Sequence, residues 1–344
     1  MKKSLPFVVI AALGFTGCSV ADQAQNTDDD AAAGSVTIMT HDSFNVDEEL
    51  VAAFEEETGY TVTTTSPGDA GAVLNQLILQ KDNPTVDAVY GIDNYSAQTL
   101  LDEDMLTSHD AELGSAERFA LEADTNGHLA PIDHGQVCVN MDNEWFEAED
   151  LTPPETLEDL TDPAYEGLFV TTDPTTSSPG LAFLVATIAG TDDWQAYWQD
   201  LLDNGAKVAG GWSDAYYSDF TSTGEGDYPL VLSYSSSPSA EAGRTSSILG
   251  TCTEQVEYAG VLADAANPDG AQAFIEFLLS QDFQETLPEE MYMYPVLEET
   301  TLPEEWSQYA ELSPEPITAD LTEVSENRDA WLNDWTELTE NHAD

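Results

Sequence analysis

The sequence contains very few basic residues, with 7 Lys and Arg against 67 Asp and Glu and a formal net charge of -60. A chain without a basic stripe has nothing to neutralise phosphates with, so we exclude nucleic acid as a partner. An anionic lipid surface would also repel this charge. A surface so rich in carboxylates is typical of proteins from halophiles, because concentrated salt screens the repulsion and the carboxylates keep the surface hydrated.

Several motifs of well-known chemistry are missing from the sequence. It has no Gly-x-Ser-x-Gly or His-Glu-x-x-His motif of hydrolases, and no Asp-x-Asp-x-Asp-Gly spacing of a calcium-binding loop. Beyond the N-terminus, no apolar run approaches the length of a membrane span. The hydrophobic fraction of 41%, with 7 Trp, 13 Tyr and 12 Phe, still supports the cores of two ordinary domains or one large one.

The N-terminus has the composition of a bacterial lipoprotein signal. Two lysines follow the initiator Met, residues 5–13 are apolar, and a segment of mostly small residues leads to Cys18. Cleavage before Cys18 would leave its thiol free to carry lipid and hold the protein to a membrane. The alternative is an ordinary secretory signal with an incidental cysteine. We expect residues 1–18 to be the signal peptide and the acidic residues 19–34 to be a tether.

The residues after the tether alternate between strand and helix patterns. Strands are predicted at 35–40, 60–65 and 86–90, with helices at 46–58 and 72–80 between them. This β-α-β-α-β order predicts a parallel sheet with helices on both faces.

Acidic side chains follow the ends of these strands, at Asp42, Asp69 and Asp93. Taken singly, each of them could be a simple helix N-cap. Because the carboxyl ends of parallel strands meet at one edge of a sheet, we expect all three to face a shared crevice. His41 and Asn94 are adjacent to two of these acids and are expected there too.

A turn rich in hydroxyl groups occurs later in the chain. The strand 168–170 leads into residues 171–180, which include Ser177 and Ser178, and an apolar helix is predicted at 181–189. Hydroxyls ahead of a proline describe a helix N-terminus whose free N–H groups attract an anion or a polar ligand. The alternative is N-capping by Ser178 alone.

Aromatic residues are concentrated between residues 208 and 238. Trp212 and Tyr216 follow two glycines, and the apolar strand 230–232 opens into Tyr234 and Ser235. Aromatic faces beside small hydroxyl residues suit a site for a flat polar ligand. The alternative is that these aromatics are core residues whose polar tips are satisfied.

Two segments, 129–135 and 252–262, are predicted to cross between lobes. We therefore predict an α/β protein in which residues 35–133 and 257–344 form lobe 1 and residues 134–256 form lobe 2.

The two cysteines that follow the signal, Cys138 and Cys252, lie in strand-like runs of the crossing segments. An even pair in an exported protein predicts a disulfide, because the compartment outside the cell is oxidising. We hypothesise that such a bridge limits the twist of the crossing strands and leaves their bend free. The alternative is a pair of buried free thiols.

Five motifs resemble the thiamine-binding branch of the substrate-binding lipoproteins of ABC importers. They are 40–44 (THDSF), 91–94 (GIDN), 173–181 (DPTTSSPGL), 211–216 with 232–238 (GWSDAY and LSYSSSP) and 293–296 (MYPV). The resemblance extends over nearly all of the mature chain. It implies a type II periplasmic-binding-protein fold, with two α/β lobes joined by two crossing strands. The sequence departs from the family pattern at His41, where a tyrosine is usual, and at 239–240, where an aromatic is usual.

The resemblance also implies a function, which is binding and not catalysis. The protein would capture thiamine or a thiamine phosphate in a cleft between the lobes and deliver it to an ABC permease. It would need no cofactor and would work as a monomer, extracytoplasmic and anchored by lipid on Cys18 to the outer face of the cytoplasmic membrane.

The resemblance assigns roles to parts of the expected site. Trp212, Tyr234 and Tyr292 would wall the thiamine rings. The Ser177-Ser178 turn would face the hydroxyethyl or phosphate end, and the corner at His41 and Asp42 would serve the pyrimidine. The full set of expected ligand-binding residues is His41, Asp42, Asp69, Asp93, Asn94, Ser177, Ser178, Trp212, Tyr216, Tyr234, Ser235, Tyr292 and Tyr294.

Three other functions stay open. Tyr216 and Tyr217 resemble the tandem tyrosines of ferric-iron binding proteins of the same superfamily, whose phenolates ligate the metal. A polyamine could be held by the acids and aromatics. A thiaminase-like enzyme of the same fold would need Cys138 as a free nucleophile with a base beside it.

Overall fold

The computed structural model describes residues 34–343. The predicted signal peptide (1–18), its Cys18 and the tether up to residue 33 lie outside the described residues. Within 34–343, no helix is both long enough and apolar enough to cross a membrane.

The strands of this part of the chain join into one curled sheet. They are β1 (Gly34–Met39), β2 (Tyr60–Thr65), β3 (Ala88–Asp93), β4 (Leu106–Thr107), β5 (Leu129–Asp142), β6 (Phe169–Thr172), β7 (Lys207–Ala209), β8 (Leu230–Tyr234), β9 (Thr245–Ser247), β10 (Thr253–Leu262) and β11 (Tyr294–Pro295). The main order is β2-β1-β3-β10-β5-β8-β6-β7. β1 is parallel to β2 and β3, which confirms the parallel sheet predicted for the first half.

The helices cover both faces of this sheet or extend from its ends. They are α1 (Glu48–Thr58), α2 (Ala70–Leu79), α3 (Ala97–Asp102), α4 (Asn143–Glu149), α5 (Ser178–Gly190), α6 (Trp194–Asp203), α7 (Trp212–Asp214), α8 (Ser237–Ala240), α9 (Pro268–Leu278), α10 (Gln281–Glu290), α11 (Glu304–Tyr309) and α12 (Leu321–Ala343). α7 continues into a π-helical turn over Ala215–Asp219.

Local sequence explains where several helices begin. The side chains of Asp47, Asp69 and Asn267 each accept a hydrogen bond from a backbone N–H at the start of α1, α2 and α9. These caps satisfy donors that a helix leaves free at its N-terminus. α1 ends at Gly59, whose φ of 75° is left-handed and is adopted by glycine without strain.

The sheet is divided into two lobes, each with its own core. The first lobe is built on β1–β3 and buries Val36, Tyr90 and Phe274 among others. The second lobe is built on β6–β8 and buries Phe169 and Trp198. The two crossing strands, β5 and β10, pair with each other, and each also pairs with one lobe, β10 with β3 and β5 with β8. This confirms the predicted two lobes joined by two crossing strands.

The structure differs from the predicted lobe boundary at the C-terminus. The prediction places 257–344 in lobe 1, yet α12 packs on the second lobe. Val324 and Trp335 are part of the core of that lobe, and Trp335 meets Trp198 edge-on at 5.5 Å. The periodicity of an amphipathic helix shows which face is buried but not which surface covers it, so the sequence could not assign α12 to a lobe.

Cys138 and Cys252 form a disulfide, as predicted. Cys138 lies in β5 and Cys252 directly precedes β10, so the bridge joins the two crossing strands. Both side chains are fully buried and are 114 residues apart in the sequence. A bridged Cys138 is not a free nucleophile, which argues against the thiaminase-like enzyme.

Loss of this disulfide should lower the free energy of unfolding by about 2–4 kcal/mol, because the bridge restricts a long loop of the unfolded chain. We expect the C138A/C252A variant to unfold at lower urea concentration than the wild type in the same salt. Dithiothreitol present during unfolding should shift the wild-type midpoint and leave that of the double variant unchanged. A wild-type midpoint insensitive to dithiothreitol would show that the two thiols are not bridged.

Candidate functional site

A cavity of about 150 Å³ lies between the two lobes. It is bounded by the loop after β1 and the start of α2 in the first lobe, and by the starts of α5 and α7 in the second. The end of β8, α8, the crossing strand β10 and the segment before β11 complete it. Seven of the predicted binding residues line this cavity: His41, Asp69, Ser178, Trp212, Tyr216, Tyr234 and Tyr292.

The aromatic wall of the cavity comes from α7, the turn after it and β8. The Trp212 ring stacks on the Tyr216 ring at a centroid distance of 5.0 Å. Tyr217 and Tyr234 approach the same indole edge-on, at 5.3 and 6.4 Å. Trp212 Nε1 donates to Ser233 Oγ at 2.9 Å, which fixes the plane of the indole. A fixed group of aromatic rings beside an opening suits a flat ligand and attracts a cation.

Three carboxylates lie side by side across the middle of the sheet, and we call them the acid row. In the strand register, Glu257 of β10 is paired with Asp133 of β5 on one side and with Asp93 of β3 on the other. All three side chains are at most 3% exposed. A β-bulge directly after Glu257 shifts the register, and Glu257 lines the cavity. Since like charges in opposing pairs repel, the acid row favours a cation beside it.

Hydrogen bonds compensate two members of the acid row. Asp93 accepts hydrogen bonds from two backbone N–H groups of the following loop and from the hydroxyl of Ser178. Asp133 accepts one from the Tyr90 hydroxyl. Burial, together with the neighbouring Glu257, raises the pKa of Asp133 well above its ordinary value, which favours its neutral form.

Glu257 is the least compensated member of the row. Its Oε1 accepts from Gln255 Nε2 at 3.0 Å, and its Oε2 accepts no hydrogen bond from the described residues. The Gln255 amide also donates to Tyr234 Oη at 3.1 Å, so one side chain connects the acid row to the aromatic wall. A buried carboxylate oxygen without a donor, on a residue that lines a cavity, indicates a position for a positively charged or donating ligand.

His41 is the ion-pair partner of Glu257 when its imidazole is protonated. Its Nε2 lies 3.4 Å from Glu257 Oε2, an ion-pair distance longer than a good hydrogen bond. The ring packs on Gly91, where a Cβ would collide with it. Burial alone would lower the pKa of His41, but attraction by Glu257, with smaller contributions from Asp69 and Asp42, raises it above the ordinary value.

Asp69 connects the two lobes at the edge of the cavity. Besides capping α2, its carboxylate accepts hydrogen bonds from the N–H groups of Trp212 at 3.0 Å and Ser178 at 3.4 Å. Next to it, Gly71 is so close to the backbone of Thr176 that a Cβ would collide with it. The lobes therefore touch in this structure. A carboxylate of the first lobe accepts hydrogen bonds at the start of α7 and at the start of α5, where the sequence predicts an anion or polar ligand.

Tyr292 borders the cavity from the segment before β11. Its φ of 54° is in the left-handed region, which is uncommon for a bulky residue. The Ser236 hydroxyl donates to its carbonyl at 2.6 Å and helps to hold this conformation. Strained backbone of this kind is concentrated at binding sites, which is consistent with the position of Tyr292 on the cavity wall.

Other predicted residues lie behind the cavity wall. Asp93 reaches the cavity only through its hydrogen bond to Ser178. Asn94 accepts from the Val256 N–H at 3.0 Å and so fixes the loop after β3 to β10. Ser177, the N-cap residue of α5, is buried and does not cap the helix with its side chain. These residues position the site and do not line it.

Asp42, Ser235 and Tyr294 also lie away from the cavity. Asp42 borders an outer groove next to it. Ser235 is fully buried and its hydroxyl has no partner among the described residues. Tyr294 donates to the Ala310 carbonyl at 2.7 Å and packs on Trp306 at 4.6 Å. Adjacent side chains of a motif can point in opposite directions. The motif alone therefore does not show which of them face the cavity.

Glu257 lines the cavity but is not among the binding residues predicted from the sequence. Its sequence signal was weak, because Glu254 and Gln255 are also polar residues of this crossing strand and only the tertiary structure shows that Glu257 is buried. Tyr217, Glu241 and the methionines Met291 and Met293 also line the cavity. None of the described residues that line it is Lys or Arg, so the charged groups of the wall are acidic apart from His41.

Known proteins of similar sequence and structure are binding proteins. Residues 49–314 match the family model of bacterial extracellular solute-binding proteins. The thiamine-binding periplasmic protein of Escherichia coli (strain K12) is 31% identical over 317 residues, which cover 87% of this chain and 92% of that protein. A solved periplasmic thiamin binding protein has a TM-score of 0.78 and 26% identity, covering 88% of this chain and 96% of its own.

More distant solved structures share the fold alone. A ferric binding protein from Campylobacter jejuni has a TM-score of 0.70 at 18% identity and covers 88% of this chain and 99% of its own. Together these similarities confirm the type II periplasmic-binding-protein fold, and they are similarities to binding proteins and not to enzymes. The chain belongs to the family of bacterial extracellular solute-binding proteins.

Proposed function

We propose that this protein is the thiamine-binding component of an ABC importer and delivers thiamine or a thiamine phosphate to a membrane permease. The observation that supports this most directly is the cavity between the lobes, which combines the rings of Trp212 and Tyr234 with the buried carboxylate of Glu257. The names of the relative from Escherichia coli and of the similar solved structure support the same ligand.

Thiamine suits this cavity because it has flat rings and a permanent thiazolium charge. Each contact of such a cation with an aromatic face contributes about 0.5–2 kcal/mol. The buried carboxylate adds an attraction that salt screens less than it screens surface charges. The phosphate of an ester would find no Lys or Arg among the described wall residues, and would have to share backbone N–H groups with Asp69.

Transport requires that the ligand change the shape of the protein. Hydrogen bonds join the two lobes, from Ser178 and Trp212 to Asp69 and from Ser178 to Asp93. These bonds can form only when the lobes are in contact. A ligand that contacts both lobes would shift the population towards this joined form, which the permease would then recognise.

The N-terminal sequence supports a proposal for location, although those residues lie outside the described range. We propose that the mature chain begins at Cys18, carries lipid there and works as a monomer on the outer face of the cytoplasmic membrane. The net charge of -60 supports a halophilic source, in whose salt the repulsion between carboxylates would be screened.

Ferric iron is the second candidate ligand, because Tyr216 and Tyr217 both line the cavity. Two observations disfavour it. The Tyr216 ring is stacked on Trp212, and burial raises the pKa of Tyr216 well above its ordinary value, which opposes the phenolate that iron requires. Adding ferric ion should therefore produce no visible phenolate-to-iron absorption band, whereas a strong band would favour the iron-binding function.

Thiamine should bind at a single site and quench the tryptophan fluorescence, because the ligand would contact the Trp212 ring. We suggest titrating the mature protein in molar salt with thiamine, its phosphate esters and spermidine, using fluorescence and calorimetry in parallel. Spermidine has no ring to stack on Trp212 and should neither quench nor compete. Binding of spermidine without any binding of thiamine would contradict the proposal and favour a polyamine.

Replacing the indole should separate stacking from space filling. Trp212→Leu removes the aromatic face, and we expect calorimetry to show a loss of thiamine affinity of about 10- to 100-fold. Trp212→Phe is the matched control, since it keeps an aromatic face at the same place and should stay within about fivefold of the wild type. Equal losses in both variants would mean that stacking on residue 212 does not hold the ligand.

A further inference from the structure

The cavity contains one ion pair of its own, between Glu257 and His41. Both side chains line the cavity, and neither residue is more than 8% exposed. The two groups are 3.4 Å apart through Glu257 Oε2 and His41 Nε2, and neither atom has a hydrogen-bond partner among the described residues. An ion pair with such incomplete hydrogen bonding is weakly held for a buried one, and a better partner for Glu257 could replace the histidine.

The charged groups that face His41 are all acidic. They are Glu257 from β10, Asp69 from the start of α2, and Asp42 from the same loop as the histidine. Tyr90 of β3 packs near the imidazole ring at 5.6 Å and remains neutral, because burial raises the pKa of its hydroxyl. Protonated His41 is therefore the single positive charge that the described wall residues can supply to this end of the cavity.

We propose that Glu257 selects the charge of the ligand, and that His41 is its resident counter-cation, which releases a proton to solvent when a cationic ligand binds. Nothing in the family similarity assigns these roles. The inference rests on the proposed function, since thiamine brings the positive charge that would take the place of the imidazolium.

The small size of the cavity brings a bound cation close to His41. In about 150 Å³, a bound cation and the imidazolium would both lie within a few ångströms of one carboxylate, shielded from water. Two positive charges at that separation repel strongly in a medium less polar than water. The imidazolium can lose its charge and the thiazolium cannot, so the proton leaves His41 Nε2 or Nδ1 and enters the buffer.

This exchange makes affinity depend on pH in a defined direction. The complex holds fewer protons than the free protein, so affinity for thiamine should rise as pH rises through the range in which free His41 titrates. The rise should approach about tenfold per pH unit where release is complete, and should fade once His41 is neutral in the free protein. A site without the exchange would show a flat profile around neutral pH.

Calorimetry of the wild-type protein tests the proton directly. Thiamine would be titrated at constant salt in pairs of buffers with different ionisation enthalpies, from about pH 6 to 8 where histidine titrates. We expect a fraction of a proton up to about one proton to be released, together with tighter binding at the higher pH. Tight binding without proton release would overturn this inference and leave the proposed function standing. No binding of thiamine at all would contradict the proposed function itself.

His41→Gln should remove the release of the proton and the pH dependence together. Because it removes a cation that competes with the ligand, we expect it to bind thiamine more tightly than the wild type at about pH 6 and within about threefold of it at about pH 8. The matched control is His342→Gln, an exposed histidine of α12 beside Asp203, which should behave as the wild type. A uniform loss of affinity with release unchanged would mean that His41 only packs against Gly91.

Glu257→Gln keeps the shape of the side chain and removes its charge. We expect a loss of thiamine affinity of about 10- to 100-fold and a smaller proton release, because His41 then loses the nearest carboxylate that holds its proton and keeps only the weaker attraction of Asp69 and Asp42. Glu254→Gln is the control, since this glutamate is exposed on the same strand. Urea unfolding would verify that both variants fold, and wild-type affinity in a folded Glu257→Gln protein would overturn the role of Glu257.

Discussion

The burial of the acid row is the constraint on which the rest of the site depends. Asp93, Asp133 and Glu257 are far apart in the sequence and become direct neighbours because β10 is inserted between β3 and β5. Charges buried this closely are costly unless each finds a donor or a counter-charge. Asp93 and Asp133 find hydroxyl and backbone donors within the protein, whereas Glu257 has, among residues 34–343, one amide donor and an imidazole at 3.4 Å. The negative potential that remains is directed at the cavity, and this explains why a cation suits the site better than an anion.

Because two members of the acid row lie on the crossing strands, a ligand that binds beside the row can affect how the lobes move. Glu257 lies on a crossing strand, which both lobes share, while the aromatic wall of Trp212 and Tyr216 belongs to the second lobe alone. A ligand held at both places therefore fixes the second lobe relative to the crossing strands. Contacts of Asp69 with the second lobe then complete the joined form. The disulfide beside β10 ties the same two strands together at the end distant from β3.

Much of the fold could be read from the sequence, because local patterns specify it. The strand 60–65 follows from alternation, and the helix N-cap at Asp69 follows from a side chain that accepts from a free N–H group. The site was predicted in part. Trp212 and Tyr234 could be predicted because aromatic faces beside small hydroxyl residues suit a flat polar ligand, but Glu257 acquires its role only when β3 and β5 pair with its strand. Tertiary packing, which periodicity does not encode, also determines which lobe α12 covers. It determines in the same way that Ser178 lines the cavity and Ser177 does not.

The central claim is that a flat cation is held between the aromatic wall and Glu257, and a crystal structure of the protein grown with thiamine tests it most directly. The account predicts one ligand in the cavity between the lobes, with a ring against the Trp212 indole and the thiazolium closer to Glu257 than to any other carboxylate. Thiamine found outside this cavity, or bound with its charged ring away from Glu257, would contradict the account.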